Sequence, residues 1–234
     1  MNAADASQAF VNAAAAMVGP SDVVGTLTGL LDDCGSLTGA SALGVLVRDP
    51  NGGLELLAAT SHATAELELY QIQRDSGPCI ETVDTGHPIH VTGRAEIEER
   101  WGDVGRAITA AGYVQVNTRP LHWHSEVIGA MNAFHRADEP LDADALRLSQ
   151  AFADMATTAI VQAGDLAPAD VAARIAKALQ SRIVIEQAKG ALAEEYGIDM
   201  AEAYQRLVRV SRDHTDETLT ETAARILREA QVSS

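Results

Sequence analysis

Lysine is almost missing from this chain of 234 residues: Lys177 and Lys189 are its only two. Residues 1–165 therefore lack the lysine that a phosphoacceptor receiver domain carries beside its acidic pair and phosphoacceptor Asp, which argues against control by phosphorylation at such a site. Cysteine is as scarce. Cys34 and Cys79 are too few for a disulfide scaffold or a zinc site. No stretch approaches the roughly 20 uninterrupted apolar residues of a membrane-spanning helix. Residues 1–18 carry Asp5 but no Lys or Arg, so they lack the basic-then-apolar layout of a signal peptide. These shortages point to a cytoplasmic protein that is not held in a membrane.

Apolar material, in contrast, is plentiful. At 47% hydrophobic residues the chain has enough for a real core, and its length suits two domains. The net charge of −16 argues against nucleic-acid binding when the chain is taken whole. Its distribution does not. Residues 1–165 hold 8 basic and 22 acidic side chains, a net of −14, whereas residues 166–234 hold 9 and 11, a net of −2. The acid sits in front, and the arginines cluster in a nearly neutral tail.

Periodicity predicts an Ala-rich helix over residues 6–18 and a second from Asp22, with Val23, Leu27, Leu30, Leu31, Cys34 and Leu37 at three-and-four spacing. A hairpin follows, Ala42–Arg48 and Leu54–Thr60 around Pro50-Asn51-Gly52-Gly53. Thr64–Gln73 reads as a helix, Pro78 opens a short one, and Ile89–Thr92 is a short strand. After a helix carrying Ile97, Trp101, Val104 and Ile108 come the clearest strands, Val114–Trp123 and Val127–His135. From Leu141 a long helix repeats Ala145, Leu148, Phe152, Met155 and Ala159 in a heptad stripe. That stripe suits packing on the domain's own sheet, a coiled-coil dimer, or both. Gly164 to Pro168 marks the boundary. The division expected is a helical extension at 1–20, a sensor at 21–163 and a helical module at 164–234, giving an α+β antiparallel-sheet domain followed by an all-α unit.

The segments Ser76-Gly77-Pro78-Cys79, Gly86-His87-Pro88-Ile89, Arg119-Pro120-Leu121, Val127 to Asn132 and Phe152 to Ile160 resemble the GAF family of small-molecule sensors over about residues 21–162. The resemblance implies an antiparallel sheet of six or so strands with a ligand pocket on one face, and leaves the ligand unnamed. Cys79, Trp101, Arg119 and Trp123 are the pocket candidates. Some GAF relatives are thiol enzymes that reduce methionine sulfoxide. Cys79 at a helix N-terminus could have a lowered pKa, but Cys34 on another helix's apolar stripe is its only possible partner. The histidines His90, His122, His124 and His135 lack a metal-ligand spacing and suit a polar face better. No catalytic residue and no metal are expected.

In the tail, caps mark three helices. The first runs from about Pro168 to Glu195 and stops before Gly197; Asp199 with Glu202 opens the second, and Thr218 with Glu221 the third. So small a core needs to pack on the sensor or on a second copy. The run Ala178 to Leu192, continued by Ala203 to Leu207, Ser211 and Leu219 to Ile226, resembles the ANTAR family over residues 174–229. That resemblance implies RNA binding, with recognition of paired stem-loops in nascent transcripts and stabilisation of an antiterminator. The candidate contacts are Ser181, Arg182, Lys189, Gly190, Tyr204, Arg206, Arg209 and Arg212. Arg182 and Lys189, seven residues apart, share a helix face about 10 Å apart along the axis. Gly190 in a helix interior suggests close approach by a helix or by RNA. Glu186 lies between the two cations and could tie them up as surface ion pairs. The chain departs from the family at Thr215-Asp216-Glu217-Thr218, acidic and one residue longer, an edge that would repel phosphate.

The reading that joins both halves is a homodimeric, ligand- or signal-controlled regulator that binds a two-stem-loop RNA. Its rivals are a protein–protein module with degenerate RNA binding and a thiol or metal enzyme on the sensor fold.

Overall fold

A computed structural model describes residues 3–18, 22–161, 168–213 and 217–232. The expected boundary from Gly164 falls outside these residues until Pro168, as do Thr215 and Asp216. In chain order come α1 (Ala3–Val18), α2 (Val23–Thr38), β1 (Ala42–Arg48), β2 (Leu54–Ala59), α3 (His62–Arg74), α4 (Pro78–Thr85), β3 (Ile89–Thr92), α5 (Arg94–Ala110), β4 (Gln115–Trp123), β5 (Glu126–His135) and α6 (Ala143–Val161). The tail adds α7 (Pro168–Tyr196), α8 (Met200–Asp213) and α9 (Leu219–Val232).

Among the described residues the sheet has five strands, not six, in the order β2-β1-β5-β4-β3, and every pairing is antiparallel. Strand alternation divides it into two faces. Leu43, Val45 and Val47 of β1 and Met131 and Ala133 of β5 join one apolar cluster with α2, α6 and the tail helices. Ala42, Val116 and Phe134 pack with Ile97, Trp101 and Ile108 of α5 on the other face. Leu46, Leu56 and Ala130 close around Cys79 on that same second face.

The heptad stripe of α6 is spent inside the chain: Leu148, Phe152 and Ala159 are buried in the first cluster. Burying a Leu or Phe contributes roughly 1.5–3 kcal/mol, which is reason enough for the stripe. Phe10 of α1 stacks on Phe152 at 5.7 Å, tying the first helix to the same face. The tail helices do not stand apart. The long α7 packs on α6, α2 and the edge strand β2, and α9 reaches α2. The small helical core thus borrows its stability from the sensor.

Candidate functional site

Local chemistry builds the C-terminal unit. Asp199 caps α8 by accepting from Glu202 N at 2.8 Å. Thr218 and Glu221 form a reciprocal box before α9: Thr218 N donates to Glu221 Oε2 at 2.9 Å, and Glu221 N donates to Thr218 Oγ1 at 3.2 Å. Ile185, Ala188, Leu192, Ala203, Leu207, Leu219, Ala223 and Ile226 bury the seam between the three helices. Glu217, from the acidic edge, is held by Arg225, whose Nε donates to it at 3.1 Å. That carboxylate is partly neutralised.

The candidate RNA residues do not form one open surface. Lys189 is only 6% exposed. Its Nζ donates to both oxygens of Glu186, at 3.0 and 2.9 Å, and lies 5.4 Å from the centre of the Tyr204 ring. The Tyr204 hydroxyl donates to Thr28 Oγ1 of the sensor at 3.1 Å. Burial pushes that phenol above its ordinary pKa, with the Thr28 bond acting against the shift. Arg182 is half-buried, and burial lowers its pKa while the carboxylates of Glu186 and Glu55 oppose the shift. Glu55 belongs to β2, so a sensor charge faces this arginine.

A cavity of about 150 Å³ lies at this seam, lined by Thr28, Leu57, Ser61, Arg182, Lys189 and Tyr204 among others. A wider cleft of about 880 Å³ opens between α2 and α8, with Asp22, Asp32 and Arg209 on its walls. Arg206 points elsewhere: its guanidinium carbon sits 3.6 Å from the ring centre of Tyr196. Arg209 is exposed, and the Arg212 side chain lies outside the described residues. Ser181 is half-buried. The close approach expected at Gly190 does not occur among the described residues, because a Cβ there would meet none of them within 4 Å.

The four pocket candidates of the sensor are divided by the sheet. Cys79 and Trp101 lie on the α4–α5 face, whereas Trp123 packs into the cluster of the α6 face. Arg119 pairs with Met131 in register and shares its strand face with Asn117, which donates to Ser149 of α6 at 2.9 Å. Arg119 is buried, and its Nε has no hydrogen-bond partner among the described residues. Trp101 Nε1 donates to Glu81 at 2.9 Å, and Arg100 beside that carboxylate lowers its pKa.

Cys79 differs from the expectation of a lowered pKa. Burial, and then the neighbouring Glu68 carboxylate, push its thiol well above the ordinary value, overriding any effect of the helix terminus. Cys34 is also buried, on the opposite sheet face, with its pKa pushed up to about 12 chiefly by burial. The pair cannot meet across the sheet. Among the described residues no three His, Cys, Asp or Glu side chains group as metal ligands. His122 and His124 are exposed. His135 is buried, which lowers its pKa, and His90 is held by Gln115 at 2.7 Å.

Glu68 carries the chemistry that periodicity hides. It is fully buried on α3 and accepts from Gln71 Nε2 at 2.7 Å and from Asn132 Nδ2 at 3.0 Å. Thr118 in turn donates to Asn132 Oδ1. Burial raises the carboxyl's pKa to about 8, against the bonds from Asn132 and Cys79. Gly44 makes room for it: a Cβ there would lie 2.6 Å from Glu68 Oε1. The centre of this sheet face is a closed, neutral polar network.

The sheet, its two helical layers and the antiparallel order define a sensor-type α+β domain, and residues 22–160 match the GAF domain family model. The chain belongs to the GAF family. Residues 173–227 match the ANTAR domain model, so a sensor is followed by an RNA-binding antitermination module. No curated protein matches the chain. Solved structures similar to it include the GAF domain of a phosphoenolpyruvate-protein phosphotransferase from Coxiella burnetii, at 12% identity and a TM-score of 0.55, covering 69% of this chain and 96% of that one. The corresponding domain from Acinetobacter is 9% identical at a TM-score of 0.54, covering 71% of this chain and 100% of that one. A phycoerythrobilin-bound GAF domain from a cyanobacterial phytochrome is 16% identical at a TM-score of 0.51, covering 69% and 96%. At these identities the likeness speaks for the fold alone. Among the described residues no helix is long and apolar enough to cross a membrane.

Proposed function

We propose that this chain is a ligand-controlled regulator that holds an antiterminator stem-loop pair together in nascent transcripts, acting as a homodimer with one ANTAR module on each stem-loop. The observation that carries this reading is the ANTAR match over residues 173–227, in a stretch folded as a three-helix unit with Arg182 and Lys189 on one side of α7. In the assigned roles, Arg182 and Lys189 contact loop phosphates and Tyr204 stacks on an unpaired base. Arg209 and Arg212 extend the contact along α8, Arg206 being turned to Tyr196, with Ser181 and Gly190 bordering it. A nascent bacterial transcript puts the site of action in the cytoplasm. The input is a small molecule that enters the sensor on its α3–α4 face, where it has to open the Glu68–Asn132 network.

Binding of the full chain to a two-stem-loop RNA and to a scrambled control, over a salt series, tests the reading. Discrimination is expected, with a logarithmic salt slope of about −0.7 per phosphate contacted in the loops. Lys189→Ala and Arg182→Ala should each weaken binding and flatten that slope. Equal affinity for both RNAs, insensitive to either substitution, would overturn it in favour of a protein–protein module.

A further inference from the structure

Lys189 and Lys177 make an informative pair, because they are the only lysines and sit on one helix. Lys177 is exposed; the side chain of Lys189 is 7% exposed. A phosphate oxygen has to come within about 3 Å of Nζ to accept its hydrogen bond. With Glu186 on Nζ, Tyr204 against it and Thr28 bonded to Tyr204, an RNA backbone has no path to that distance.

Glu186 and Tyr204 are the tail's own, and the sensor adds the outer cover. Thr28 lies on α2, and Leu57, Thr60 and Ser61 of β2 and the turn after it line the same small cavity as Arg182 and Lys189. A second link holds the third tail helix to the same sensor helix. Thr220 Oγ1 donates to Asp22 Oδ1 at 3.2 Å, and Thr220 N lies 3.4 Å from Asp22 Oδ2. Asp22 also caps α2 through Gly25 N at 3.1 Å. Both polar links therefore end on α2, which packs directly on the sheet and on α6. They are few, and a net hydrogen bond shifts an equilibrium only about fivefold. The wide cleft between α2 and α8 leaves much of this seam unpacked. Apolar packing of α7 on α2, α6 and β2 supplies the rest of the contact.

We propose that the sensor clamps its own RNA-binding face: α2 and β2 cover Arg182, Lys189 and Tyr204, and RNA binds only after the C-terminal module has left α2. This rests on the RNA-binding reading above. Sensor and RNA compete for the same three side chains, so apparent affinity scales with the fraction of open chains. A signal that moves α2 against the sheet changes that fraction.

The test uses the full chain with an amine-reactive ester and mass spectrometry, Lys177 serving as internal control. Thr28→Val combined with Thr220→Val removes the Tyr204–Thr28 bond and the Thr220 hydroxyl's bond to Asp22 without adding a charge that RNA could use; Thr220→Val alone is a milder version that leaves the Asp22 cap in place. In the wild type, Lys189 should label about tenfold or more slowly than Lys177. The double variant should speed Lys189 labelling while Lys177 stays unchanged, and should tighten the two-stem-loop RNA by about tenfold. Adding Lys189→Ala should abolish that gain. Equal labelling of both lysines in the wild type overturns the clamp. So does faster Lys189 labelling with unchanged RNA affinity, and if that affinity still depends on Lys189, the RNA reading stands while the clamp falls. If the opened variant binds no RNA at all, both readings fall together.

Discussion

The Tyr204 hydroxyl donates to the Thr28 hydroxyl at 3.1 Å, joining α8 of the RNA module to α2 of the sensor across 176 positions of sequence. Thr28 also donates to Val24 O at 2.9 Å, so it keeps an acceptor of its own when Tyr204 leaves. Tyr204→Phe is expected to cost about 0.5–1.5 kcal/mol in urea unfolding, and Thr28→Val a similar amount. The double-mutant cycle should return a coupling of about 0.5 kcal/mol or more. Strict additivity would show that the bond contributes nothing in solution.

Glu68 makes stability depend on pH in a stated direction. Its carboxyl titrates at about 8 in the folded chain against an ordinary 4.5. The folded state therefore holds a proton that the unfolded chain releases. The stabilisation is fully present below about 4.5 and is lost as pH rises towards and through 8. Glu68→Gln keeps the shape and removes the titration. The variant should gain on the wild type as pH rises from 5 to 9, by on the order of a few kcal/mol at most. Thermal melts across that range check it, and parallel curves for the two proteins would sink it.

Much of this architecture was legible because its signals are local. The Thr218–Glu221 box and the Asp199 cap depend on groups three residues apart, and the hairpin at Gly52-Gly53 depends on turn chemistry. What escaped needs tertiary placement. On α3, Thr64, Leu67, Glu68 and Gln71 are all buried, a helical spacing that was present, but its polar residue types disguise it as a solvent face. Gly44 opposite Glu68 was the one available hint. Cys79 and Arg119 share a pocket only if the strand register places them on one face, and it places them on opposite ones. The cover on Lys189 could not be read at all, because Thr28 and Leu57 come from the other end of the chain.

Lys189 offers a way to separate binding from folding. Its partner Glu186 is 38% exposed on the side chain, so removing the lysine leaves that carboxylate in contact with water. Lys189→Met keeps the apolar stem against Tyr204 and drops the charge. The stability change should be below about 1 kcal/mol, because a paired charge replaced by a packed apolar group is often near neutral. RNA affinity should nevertheless fall by tenfold or so if the ammonium meets a phosphate. A large loss of stability would mean that the Glu186 pair holds the helix face together.

The thiols provide a last check on the sensor core. Thiolate, not thiol, reacts with disulfide reagents, and reactivity also needs access. Cys34 and Cys79 are both fully buried with raised pKa values, on opposite faces of the sheet. Neither should react with an aromatic disulfide in the native chain at pH 8, and both should react once urea unfolds it. Labelling that tracks global unfolding for both residues means that each face opens only with the whole domain. If Cys79 alone labels early, the α3–α4 face opens by itself, and that is the motion a ligand needs to reach Glu68 and Asn132. A fast native reaction at Cys79 would contradict its burial and point to a thiol input at this position instead of a ligand.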